Sequence, residues 1–293
     1  MVDETQERLN PTGLRVTSLQ APNADPGVAA VAGYLAGALG RPVAVVDQID
    51  WLAREQRLDE GQIEMGWICG WPYVRKMRRS PPNLELLAAP VPAGERYGGR
   101  PVYFSDVVVR RESPYQTFAD LRGASWGYNE PGSQSGYNIT RYHLARLGLT
   151  WSFFGRVAAT GAHEASLREL LAGRLAASAI DSTVLETELA AQPGLRDQIR
   201  IIEVLGPSPS PPWVAQTRLP AALRAQARAA LLNMHSNPAG QAALAQARLA
   251  RFAAVSDSDY DPIREMERVA QHLNLAPEEH SEPAVDRPDS VHG

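Results

Sequence analysis

The stretch Tyr128-Asn129-Glu130-Pro131-Gly132-Ser133-Gln134-Ser135-Gly136-Tyr137-Asn138 gathers residue types that can hold an anion. It lies between an apolar run at 125–129, read as a strand, and a helical pattern at 135–147 closed by Gly148. Its glycines let the backbone turn tightly and approach a ligand. Ser133 or Ser135 can cap the helix, and either hydroxyl can also donate to an anion. Backbone N–H groups of the first turn, those of Ser135 and Gly136 among them, point the same way. The positive end of the helix favours a bound anion by ~0.3–1 kcal/mol. An ordinary capped helix after a turn has the same spacing, so the pattern alone leaves both readings open.

Other chemistry-bearing residues have two readings each. His163 follows Gly161 and opens a helix, as a surface or capping residue or as a ligand group. Asp181 ends an apolar strand and precedes Ser182. At the C-terminal end of a strand it would face the crevice of an open α/β sheet, or it would cap the next helix. Trp67, Trp71 and Tyr73 crowd one loop, as a ligand wall, a cage for a cation, or lobe packing. Cys69 reads as a small buried residue, and Arg75, Lys76, Arg78 and Arg79 as a solvated helix face.

Enzyme chemistry finds little support. The chain has no G-x-S-x-G elbow, P-loop or H-E-x-x-H. One cysteine makes neither an internal disulfide nor a zinc site of several thiolates. No metal or cofactor is expected.

To position these residues the chain alternates strand-length apolar runs with helical patterns. The reading is strands at 14–19, 43–46, 63–68 and 84–91, with helices at 28–39 and 49–58. A long β-branched strand follows at 102–111, after which the pattern restarts with strands at 125–129, 153–158, 175–180 and 199–205 and helices between them. This predicts an α/β fold of βαβ units. The run 206–212, Gly-Pro-Ser-Pro-Ser-Pro-Pro, reads as a stiff connector. A short strand at 213–216 and three helices, at 221–234, 238–249 and 262–273, complete the pattern, with no further strong strand. The expected arrangement is two α/β lobes joined by crossover strands around a cleft: residues 1–108 plus 213–275 in the first, 112–206 in the second, and 276–293 a disordered tail.

The 293 residues suggest about two domains, and their composition is ordinary for a globular protein. A net charge of −4 argues against nucleic acid or an anionic membrane as partner. No run approaches a membrane span of ~18 apolar residues. Residues 1–10 lack the basic start and apolar stretch of a secretory leader. Either a leader has been removed or replaced, or the protein stays inside the cell.

Three segments in order, Tyr103-Phe104-Ser105-Asp106-Val107-Val108-Val109, Phe118-Ala119-Asp120-Leu121-Arg122-Gly123 and Ser133-Gln134-Ser135-Gly136-Tyr137, resemble the central region of the PhnD-like phosphonate-binding proteins of ABC transporters. Ala162-His163-Glu164-Ala165 and Ala179-Ile180-Asp181-Ser182 extend the likeness, which is clear over about 100–185. The resemblance implies a periplasmic-binding-protein-like fold, a phosphonate, phosphite or phosphate group at the serine-rich helix start, a permease partner, a monomer and a cell-envelope location. It places Ser133, Gln134 and Ser135 in the anion turn, makes Tyr103 and His163 the cleft tyrosine and histidine, and puts Asp181 where a polar contact is common. The first-lobe segment Gly66-Trp67-Ile68-Cys69-Gly70-Trp71-Pro72-Tyr73 departs from the best-known phosphonate binders. A zwitterionic or aromatic ligand held by Trp67, Trp71 and Tyr73 is therefore a second reading, and a cytoplasmic sensor or enzyme of the same fold a third. The fungal thiamine-pyrimidine synthases share that fold, but their cysteine-rich iron motif cannot be built from one cysteine.

Overall fold

The computed structural model describes residues 13–274. The tail expected at 276–293 and the leader question at 1–10 lie outside the described residues. The fold is two α/β lobes, each built on its own sheet.

The first lobe opens with β1 (Leu14–Ser18), α1 (Asp25–Leu39), β2 (Val43–Val45), α2 (Trp51–Asp59), β3 (Met65–Trp67), α3 (Gly70–Lys76) and β4 (Leu84–Pro92). β5 (Val102–Arg110) then starts the second lobe. There follow β6 (Ser125–Tyr128), α4 (Ile139–Arg146), β7 (Arg156–Ala159), α5 (His163–Leu171), β8 (Ala177–Asp181), α6 (Ser182–Ala191) and β9 (Ile199–Pro209). The chain returns through β10 (Trp213–Gln216), α7 (Ala221–Leu232), α8 (Pro238–Gln246) and β11 (Leu249–Ala253), and α9 (Asp261–Ala270) closes it.

The first sheet has six strands in the order β11-β4-β10-β3-β1-β2, and the second has five in the order β7-β6-β8-β5-β9. β1 runs parallel to β2 and β3, β10 is inserted antiparallel between β3 and β4, and β11 is an antiparallel edge strand on β4. In the second sheet β6 is parallel to β7 and β8, and β5 is antiparallel to β8 and β9. The first core packs Val16, Val28, Leu35, Leu87, Trp213 and Phe252. A larger apolar cluster runs through both lobes, from Trp71 and Tyr73 to Trp126 and Tyr137, with Tyr260, Ile263 and Met266 between them.

Four expectations are corrected. The strand 102–110 belongs wholly to the second sheet, so the chain crosses at 93–101 rather than within 102–108. Arg96 in that crossing pins it, with both terminal nitrogens on the buried Asp106 carboxylate at 2.8 and 3.0 Å. The Pro-rich run is not all connector: β9 continues to Pro209, which pairs with Val102. β9 is an edge strand, where proline removes no ladder bond on the outer side. The pattern read as helix to 249 breaks earlier, and β11 is an unforeseen strand on β4. The stop was hidden because Arg248, not glycine, takes the left-handed turn at φ 56°. Finally, α9 does not stay with the first lobe. It packs on α3 and on α4, and Gln134 Nε2 reaches Met266 Sδ at 3.1 Å.

Candidate ligand cleft

Parallel strands deliver their C-terminal ends to the cleft, and helices start there. β6 ends at Tyr128, and the loop 129–133 leads into a wide π turn, Gln134–Asn138, ahead of α4. α5 starts at His163 and α6 at Ser182, so three helix N-termini of the second lobe converge on one cavity. Across from them the first lobe contributes the 19–27 loop, Trp51 and Arg54 of α2, Trp67 of β3, and Cys69. The cavity between the lobes holds about 390 Å³.

Ser133 caps the π turn: its Oγ accepts from the Gly136 N–H at 3.1 Å. It lies 3.4 Å from Ser135 Oγ, which is 2.7 Å from His163 Nε2. All three side chains are buried. Gly136 is required by close approach, because a Cβ there would sit 2.0 Å from Asn129 Oδ1. Burial pushes the His163 imidazole down to about 4, so it is neutral at physiological pH. Tyr103 is buried beside them, its phenol held well above its ordinary range by desolvation first and nearby Cys69 and Asp181 next.

Asp181 caps α6, accepting from Thr183 N–H at 2.8 Å and from Thr183 Oγ1 at 2.7 Å. Burial still raises its carboxyl to about 6. Glu130 faces the same cavity, and burial, then the charge of Glu55, raises it to about 7. Burial lifts the Cys69 thiol to about 11, which leaves it an inert thiol.

Ser133, Ser135, Tyr103, His163, Asp181 and Trp67 therefore share one cavity. Four expected site residues take other places. Gln134 is fully buried behind the turn, donating to Ser208 Oγ at 3.2 Å and accepting from Asn138 Nδ2 at 2.6 Å. The Gly136 N–H is occupied by Ser133 Oγ. Trp71 is buried against Tyr137, with Arg141 stacked 4.6 Å from its ring centre. Tyr73 is buried against Tyr260 and donates to Asp257 at 2.9 Å. The aromatic wall is thus reduced to Trp67, because a one-turn helix start at Gly70 sends the other two rings into the interlobe core.

Sequence reasoning missed Asn23, Trp51, Arg54, Glu130 and Arg248, all on the cavity wall. Glu130 and Asn129 sat inside the motif that drew attention; the others come from distant loops with no local signal. Among the described residues no group of three or more His, Cys, Asp or Glu could hold a metal ion.

A family model described as the periplasmic substrate-binding protein of phosphonate ABC transporters matches residues 17–260. Solved structures are similar over nearly the whole chain. The binding-protein component of a phosphonate ABC transporter from Pseudomonas aeruginosa is 19% identical, with a TM-score of 0.78 over 92% of each chain. PhnD1 from Prochlorococcus marinus, solved with methylphosphonate, is 20% identical, with a TM-score of 0.77 over 88% of this chain and 98% of that one. A Xanthomonas citri protein solved with ATP is 16% identical, with a TM-score of 0.70 over 89% of this chain and 98% of that one.

Proposed function

The chain belongs to the family of periplasmic substrate-binding proteins of phosphonate ABC transporters, and on that premise we propose that it clamps a small oxyanion of the phosphonate, phosphite or phosphate class between its lobes. Members of this family bind small ligands and work with a membrane permease; they are not enzymes. The observation that carries the finer reading is the Ser133–Ser135 turn, two buried hydroxyls at the convergence of three helix N-termini, with His163 Nε2 on one of them at 2.7 Å.

In this reading the oxyanion lies over the turn. Ser133 and Ser135 donate hydroxyl hydrogen bonds, Tyr103 donates from the first turn's flank, and the helix ends supply partial positive charge. His163 is neutral, so it orients rather than charges the site. The methylphosphonate in the Prochlorococcus protein supports the ligand class. The periplasm is the family's compartment, and we extend it to this chain together with a permease partner.

A second reading is favoured by Glu130 and Asp181. Two carboxylates on the wall of an anion site suit a ligand with an ammonium group beside its oxyanion. Calorimetry against phosphate, phosphite, methylphosphonate and 2-aminoethylphosphonate tests both. Micromolar or tighter binding of any of them supports the oxyanion site. A strong preference for the aminoethyl ligand selects the second reading. Binding only of ligands that lack an oxyanion would overturn the proposal.

A further inference from the structure

The cavity is larger than a bare oxyanion needs, even with the lobes in contact. Asn23, in the first-lobe loop before α1, reaches across to α5 and α6. Its side-chain amide donates to Glu188 Oε1 at 3.0 Å and to Val184 O at 3.4 Å, and its backbone N–H donates to Glu164 Oε1 at 3.2 Å. The cleft is therefore already bridged, and it still holds about 390 Å³. A bare phosphonate takes the room of about three or four waters, at ~30 Å³ each. Most of the cavity is left for something else.

Much of the wall is apolar, although Gln20, Arg54, Glu186 and Arg248 also line the cavity. Trp51, Trp67, Pro92, Pro211, Val184 and Leu249 line it. Trp51 opens α2 and is 39% exposed, one of the few large apolar side chains not buried. An exposed indole on a cleft wall is apolar surface that a ligand can cover. Trp67 is held in place: its ring stacks on Trp213 at 6.5 Å and its Nε1 donates to Pro211 O at 2.8 Å. A wall fixed before binding loses little entropy when the ligand arrives.

We infer that the ligand is an organophosphonate whose substituent is apolar and at least ring-sized, seated against Trp51 and Trp67. This rests on the oxyanion reading of the Ser133–Ser135 turn. Phosphate and phosphite would leave the apolar room unfilled.

The test is calorimetry on the full chain and its Trp51→Ala variant, with phosphate, methylphosphonate, 2-aminoethylphosphonate and phenylphosphonate. Phenylphosphonate is expected to bind about ten- to a hundredfold more tightly than methylphosphonate, the gain from covering one ring. Trp51→Ala should remove most of that gain, so that the ratio of phenylphosphonate to methylphosphonate affinity falls toward one, and the melting temperature should change little because Trp51 is exposed. Equal affinity for phenylphosphonate and methylphosphonate would overturn the inference, as would 2-aminoethylphosphonate or phosphate binding best. A phenyl preference unchanged in both Trp51→Ala and Trp67→Leu would overturn the assigned wall. If none of the four binds, the oxyanion reading itself fails, and the inference falls with it.

Discussion

Ser135 Oγ lies 2.7 Å from His163 Nε2, and the other ring nitrogen, Nδ1, is buried without a partner. A neutral imidazole has one N–H. Placing it on Nδ1 would orphan a buried donor, which is rarer and costlier than orphaning an acceptor. The hydrogen therefore belongs on Nε2, which donates to Ser135, and this leaves the serine's own proton free to be donated elsewhere. Under the oxyanion reading, His163 is a positioning residue for a donor to the ligand.

Ser135→Ala should consequently weaken binding of methylphosphonate by roughly ten- to a hundredfold, since a hydrogen bond to a charged group contributes about 1.5–3 kcal/mol. The melting temperature should change little. Ser133→Ala removes both a donor and the cap on Gly136 N–H, so it should lose affinity and also about 0.5–2 kcal/mol of stability. Calorimetry and thermal melts on the two variants check this. Unchanged affinity with a lowered melting temperature would reduce both serines to caps.

His163 also makes stability depend on acid. Its folded value, about 4, lies below the ordinary 6.5, so the unfolded chain takes up the proton first. The stability it protects is complete above pH 6.5 and is lost as pH falls toward 4, by up to about 3 kcal/mol. Asp181 and Glu130, both raised, act in the opposite direction: their burial cost is relieved as they protonate. The difference in stability between wild type and His163→Gln, followed from pH 7 to 4 by denaturant unfolding, isolates the histidine. A pH-independent difference would refute the assignment.

Glu130 distinguishes the two ligand readings by the direction of proton flow. At about 7 it is half-ionised near neutral pH. An oxyanion entering beside it favours the protonated form, so binding should take up a fraction of a proton and strengthen as pH falls from 8 to 6. A ligand whose ammonium pairs with Glu130 would release the proton instead. Calorimetry in buffers of different ionisation enthalpy measures this number, and the difference between wild type and Glu130→Gln cancels the ligand's own titration. Zero difference would remove Glu130 from the site.

Asn23 should govern closure. Asn23→Asp puts a third carboxylate beside Glu188, which accepts from the wild-type side-chain amide at 3.0 Å, and near Glu164, which accepts from the Asn23 backbone N–H at 3.2 Å. Repulsion should open the cleft, raise Kd about tenfold and speed dissociation, with Glu188→Gln restoring part of the loss. Stopped-flow release kinetics report it. Equal rates in wild type and Asn23→Asp would mean that the bridge does not hold the lobes.

Gln134, which the family resemblance placed in the anion turn, and Trp71, read either as part of a ligand wall or as lobe packing, should behave as structural residues. Trp71→Ala empties a buried ring site between Tyr137 and Arg141 and should cost about 3–5 kcal/mol. Gln134→Ala strands Ser208 and Asn138 without their partner and should cost about 1–3 kcal/mol. Denaturant unfolding gives both values. A Gln134→Ala variant of wild-type stability and abolished binding would return it to the site.

The alternation of apolar runs and helical patterns carried the two-lobed α/β architecture, because period and turn chemistry are local properties of the chain. The serine- and glycine-rich turn between strand and helix was legible for the same reason: glycines, serines and a strand-to-helix junction fall within eleven consecutive residues, 128–138. Asp181 at the end of β8 was legible from strand direction alone. What the local pattern could not decide was which way a side chain faces once two lobes meet. Trp67 and Trp71 are four positions apart, yet one lines the cavity and the other packs on Tyr137 of the opposite lobe. Gln134 and Ser135 are adjacent, yet the π turn points one at α9 and the other at His163. Asn23, Trp51 and Glu130 line one cavity only because the two lobes are brought together by the crossings at 93–101 and 210–212 and by α9 packed on both lobes. Side-chain direction at an interface depends on distant packing, and that is a tertiary property with no local signature.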